Sequence, residues 1–88
     1  MSKVIFQYQI EDNKGESIYS CWKTIEMSNA PTQDLVYEDG DFTWQANRSI
    51  IYSFKDDSYF VRTVNDTPVE PIENYATMFE KLGWKINS

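Results

Sequence analysis

The sequence predicts a small α+β domain: an antiparallel, hairpin-built β-sheet of five or six strands with one C-terminal α-helix packed on a face. Three observations predict it. Apolar residues alternate with a period of two through much of the chain up to Val64, turn-forming residues interrupt these runs, and after Pro71 the apolar period lengthens to that of a helix. Eighty-eight residues suffice for one core only, so residues 1–88 are read as a single domain.

The first strand, roughly 3–10, carries Val4, Phe6, Tyr8 and Ile10 on one face and Gln7 and Gln9 on the other. "EDNKG" supplies a turn in which Gly15 is placed to accept positive φ, and a second strand follows over roughly 16–27. There Tyr19, Cys21, Ile25 and Met27 share one parity, Ile18 and Trp22 the other, so both faces are expected to be partly covered. Pro31 breaks the pattern. Short strands over roughly 34–38 and 41–46 then flank Asp39-Gly40, which reads as a type I′ hairpin turn with φ > 0 at both residues.

A third hairpin pairs roughly 49–55 with 59–64 across "KDDS". The helix, roughly 71–82, is read from Ile72, Tyr75, Ala76, Phe79 and Leu82, with Pro71 in its first turn, Gly83 to stop it and Trp84 to fold back on its last turn.

Composition limits the chemistry. There is no histidine and a single cysteine, which excludes Ser–His and Cys–His pairs, histidine-containing zinc sites and an intramolecular disulfide. Cys21 reads as a small buried hydrophobe; Lys23 could activate it only if both faced one cleft. Glu38 and Asp41 could form a carboxylate pair, but a solvated turn lacks the apolar setting that raises one pKa. Glu38, Asp39 and Asp41 offer oxygen ligands, yet the sequence turns apolar after Asp41 and does not continue as a calcium loop. The expectation is no enzyme, no cofactor and no metal.

Net charge is −6, with three bases against four acids up to Ala30 and five against ten beyond it. That sign opposes phosphate backbones and anionic membranes and favours a basic protein partner. Arg48, Lys55 and Arg62 interleave with Tyr52, Phe54, Tyr59 and Phe60, which makes single-stranded nucleic acid a third reading only. No stretch resembles a signal or a membrane span, and a cytoplasmic location is expected.

Fourteen aromatic rings exceed what one small core readily hides, and such rings anchor interfaces. Trp22, Tyr37 and Trp44 are the expected exposed or half-exposed anchors, with Glu38, Asp39, Asp41, Asp56 and Asp57 as an acidic rim. The chain is thus expected to be a non-catalytic protein-binding module, in its sharpest form a small acidic inhibitor of a basic nucleic-acid-handling protein. The alternative is a structural or accessory subunit, including a homodimer.

Overall fold

The central strand is the first one. In the computed structural model, which describes residues 2–86, β1 (Ser2–Glu11) pairs with β2 (Ser17–Met27) on one side and β6 (Ser58–Asn65) on the other. β5 (Ile50–Ser53) and β7 (Lys85–Ile86) complete a five-stranded sheet in the order β5-β6-β1-β2-β7. β3 (Val36–Asp39) and β4 (Phe42–Gln45) form a separate two-stranded ribbon, and α1 (Ile72–Lys81) is the one helix among the described residues.

The architecture is α+β, and it departs from a purely hairpin-built sheet in two ways. β1 and β6 run parallel, with Lys3 beside Ser58 and Ile10 beside Asn65. The ribbon has left the sheet plane to lie over its face, where Phe42 meets Phe79 of α1 at 5.0 Å between ring centroids. Ribbon and helix together form the second layer that an apolar sheet face requires.

Register explains which face is covered. Val4, Phe6, Tyr8 and Ile10 are opposite Ile25, Lys23, Cys21 and Tyr19 of β2, and beside Tyr59, Val61, Thr63 and Asn65 of β6. Side chains alternate across a strand, so these share the face under the ribbon and helix. Val4, Phe6, Tyr8, Ile10, Cys21 and Val61 are all buried there. Each fully buried side chain of the Val, Ile or Phe type contributes about 1.5–3 kcal/mol. On the opposite face Ile51, Phe60, Ile5 and Thr24 form one exposed to half-buried row across four strands, followed by Arg62, Gln7 and Trp22 in the next, whereas Val64, Gln9 and Ser20 in the row after are buried.

The helix ends by a Schellman motif. Gly83, at φ +85°, donates to the Glu80 carbonyl, and the Trp84 amide donates to the Phe79 carbonyl at 2.9 Å. This turn delivers the Trp84 ring onto Phe79 at 4.9 Å and releases the chain into β7. At the other end of β1 a bulge between Ile10 and Glu11 leads to the turn around Asp12, whose carboxylate accepts from the amides of Lys14 and Glu16. Gly15 there has φ +80°.

A strand is also imitated by a side chain. The register of β5 on β6, extended past Ile50–Val61, puts Asn47 opposite Val64. The Asn47 side-chain amide accepts from the Val64 amide at 2.9 Å and donates to the Val64 carbonyl at 2.7 Å, replacing the two bonds a backbone would make. Asn47→Ala is therefore expected to lower stability by about 1–2 kcal/mol, with faster amide exchange at Val64 while the β1–β2 amides keep their protection.

Candidate protein-binding surface

Position within the ribbon decides what each of its carboxylates does. Asp39 pairs with Phe42, so the two-residue loop is Gly40-Asp41, one step later than an Asp-Gly turn. Gly40 has φ +61° and Asp41 does not share a positive φ, the pattern of a type II′ turn. Asp39 thereby becomes the last strand residue. Tyr37, Asp39, Phe42 and Trp44 point to the sheet, while Val36, Glu38, Thr43 and Gln45 point away.

Asp39 is consequently occupied. Its Oδ2 accepts from Lys23 Nζ at 2.7 Å and from Trp84 Nε1 at 2.9 Å, and Lys23 also donates to the Leu82 carbonyl at 2.8 Å. These bonds tie β2, the ribbon tip and the end of α1 together. Partial burial pushes the Asp39 carboxyl upward, but the hydrogen bonds from Lys23 and Trp84 and the Lys23 charge outweigh it and hold the pKa below its ordinary value.

A carboxyl with a lowered folded pKa stabilises the fold above its unfolded value, and that stability disappears as pH falls through the folded value. Wild type should therefore lose stability more steeply than Asp39→Asn on acidification below about pH 4, as read by urea denaturation across the acid range. The two sets should converge in strong acid, and the effect should stay near about 1 kcal/mol because the pair is open to solvent.

The structure corrects the expected surface at two residues, the anchor Tyr37 and the rim residue Asp39, and leaves Trp44 half-exposed as expected. Tyr37 is buried at 8% exposure, in contact with Phe6 and Trp44 at 4.9 and 5.5 Å, and its hydroxyl donates to the Thr32 carbonyl. It is a core residue because its parity faces the sheet. Trp44 shares that face, half-buried against Phe6, Phe42 and Trp84. Asp39 is neutralised by Lys23 and so adds no free charge.

Trp22 is half-buried on the uncovered sheet face, away from the ribbon. Asp56 and Asp57 are exposed in the β5–β6 turn, where Asp57 adopts φ +49° and accepts from the Tyr52 hydroxyl at 2.7 Å. That turn hangs from β5, whereas Asp39 is anchored to β2, three strand spacings or about 14 Å across the sheet. The acidic residues thus form two separate groups.

What joins Glu38 and Asp41 is a pair that sequence reasoning did not single out as a rim. Glu73 and Glu80 are exposed on α1, seven residues apart and so on one side of it, in the same layer of the fold as the exposed Glu38 and Asp41 of the ribbon. Lys81 is the one base of α1, and with Asp41 it lines a groove of about 400 Å³ that also includes Asn74, Thr77, Met78 and Leu82. Ribbon and helix together therefore expose four carboxylates and one ammonium. The signal in the sequence was the polar side of the helical period, read once the apolar stripe is assigned.

A second, smaller cleft of about 170 Å³ lies between β2 and the ribbon, walled by Phe6, Ile25, Tyr37 and Trp44 and by the Lys23–Asp39 pair. Cys21 and Lys23 do share a face, yet the Lys23 ammonium is engaged by Asp39 and Leu82. Burial pushes the Cys21 thiol up to about 12, and its sulfur donates to the Tyr8 carbonyl. The aromatic and basic residues of the third hairpin are divided: Tyr52 and Tyr59 lie on the covered side, Phe60 and Arg62 on the open side, with Arg62 donating to Gln9 at 3.1 Å. No group of three or more metal-ligating side chains occurs among the described residues, and none of their helices is long and apolar enough to cross a membrane. Comparison with known protein families, curated proteins and solved structures finds no match.

Proposed function

We propose that this chain is a non-catalytic protein-binding module that docks on a basic partner, a nucleic-acid-handling protein whose phosphate-receiving surface it would occupy. The observation that carries this reading is the outer layer of ribbon and helix, where Glu38, Asp41, Glu73 and Glu80 face solvent with only Lys81 to offset them. Such a surface steers a basic partner and suppresses acidic ones. Asp39 has a different part: by holding Lys23 and Trp84 it fixes the ribbon tip against the helix, so that Asp41 and the helix carboxylates keep a set relation.

The test is competition. A cell lysate is passed over the immobilised protein and over a triple variant, Glu38→Lys, Asp41→Lys and Glu73→Lys, all at exposed positions. The expected result is a basic protein retained by wild type, released by salt, absent from the variant, and displaced from DNA or RNA by adding the free module. Retention that ignores the charge reversal, or a retained protein whose nucleic-acid binding is untouched, overturns the reading.

A further inference from the structure

We infer that β5 is a self-association edge, through which two copies join by antiparallel pairing about a two-fold axis. β5 ends the sheet, and among the described residues no strand pairs with its outer side. Sheet edges exposed to solvent are ordinarily guarded by charges, proline, a bulge or a covering element. Ile50–Ser53 reads IIYS and has neither a charge nor a proline. The opposite edge differs: β7 has only two residues and includes Lys85, and the uncovered end of β2 carries Lys23 and Glu26.

Exposed apolar groups line the unguarded edge; Ile18, Ile25 and Ile86 are exposed at the opposite edge, but there Glu26 and Lys85 stand beside them. Ile51 is 57% exposed, Tyr52 39%, and Phe54 90%, with the Phe54 ring resting on Tyr52 alone among the aromatic residues. A two-fold axis through an antiparallel pair places one residue opposite its own copy. With Tyr52 at that position, Ile51 comes beside Ser53 of the second copy, and the end of β5 that follows Arg48 meets the end of the second β5 that leads through Phe54 into the turn holding Asp56.

This register supplies charge complementarity as well as apolar cover. Arg48 is exposed just before β5, and Asp56 is exposed just after it; Asp57 is already engaged by Tyr52, which leaves Asp56 free for the incoming guanidinium. Reversing the strand direction would set Arg48 beside Arg48, so the charges select the antiparallel arrangement. The occupant is thus a second copy of this chain. Since β5 lies at the sheet edge far from the ribbon tip, the acidic layer stays open in the dimer and is presented twice, so the inference stands or falls independently of the partner proposed above.

Sedimentation equilibrium of the full chain from low micromolar to near-millimolar concentration tests it. The mass is expected to rise from 10.4 kDa toward twice that value. Phe54→Lys, at a position outside every strand, should keep the circular dichroism and melting curve of the monomer yet weaken dimerisation by at least about tenfold. Arg48→Asp should weaken it as well, and Arg48→Asp combined with Asp56→Arg should restore it. A single-chain mass at every concentration overturns the inference. A dimer indifferent to Phe54→Lys, or one that the charge swap fails to restore, overturns the proposed edge or its direction.

Discussion

Phe79→Ala is expected to lower the free energy of unfolding by about 3–5 kcal/mol. Phe79 is fully buried and its ring meets Tyr8 at 5.1 Å, Tyr19 at 6.2 Å, Phe42 at 5.0 Å and Trp84 at 4.9 Å. It is the side chain where sheet, ribbon, helix and C-terminal turn converge. Truncation forfeits its burial and leaves a cavity whose walls belong to four elements, none of which can collapse without pulling on another. A domain of this size has a total stability of roughly 4–13 kcal/mol, so the variant should lie close to its unfolding threshold. Urea denaturation would show a lower midpoint, and Phe79→Leu should recover most of the loss. A midpoint near wild type for Phe79→Ala would mean that ribbon and helix are not held through this ring.

Tyr37→Ala is expected to cost about 3 kcal/mol, whereas Tyr37→Phe should cost about 1 kcal/mol, the worth of the hydroxyl bond to the Thr32 carbonyl. The pair separates packing from polarity at one position. It also separates a core role from a docking role: binding lost in Tyr37→Ala should track unfolding and return when the variant is stabilised by lower urea or temperature. Trp22→Ala, on the open sheet face, should affect stability less than Tyr37→Ala, as read by the same denaturation curves.

Tyr37 marks where the sequence is legible and where it stops. Period-two alternation assigned Val4, Phe6, Tyr8 and Ile10 to one face correctly, because each strand's own pattern records its two sides. The helix, its apolar stripe and its glycine stop were legible for the same reason, being local in sequence. Pattern does not record which strand lies next to which. The parallel contact of β1 with β6 is set by how the whole chain packs, and so is the departure of β3 and β4 from the sheet plane. Tyr37 looked available for docking because the ribbon's cover over Phe6 is such a non-local contact.

The acidic turn shows how little separates a right reading from a misplaced one. A hairpin at Gly40 was legible, but its loop is Gly40-Asp41, and that one-residue step makes Asp39 an inward strand residue. An inward carboxylate must find partners, and it finds Lys23 and Trp84. The function of Asn47 was equally hidden, since nothing local shows that a loop asparagine will complete a ladder seventeen residues away. β7, with two residues, is too short to display a period at all.

The place of β1 in the sheet also has a consequence for the order in which the protein is made. The central strand leaves the ribosome before any of its partners, and β2 follows it through a short turn. Its other edge must wait for β6, which runs beside it from Lys3–Ser58 to Ile10–Asn65. Until β6 follows, a β1–β2 hairpin would have one apolar face bare and one edge unpaired, and a lone hairpin is marginally stable in water. Completing the sheet therefore requires a long-range parallel pairing, which costs loop-closure entropy before it returns any burial, and the edge of β1 left open until then is the one a second chain could pair with.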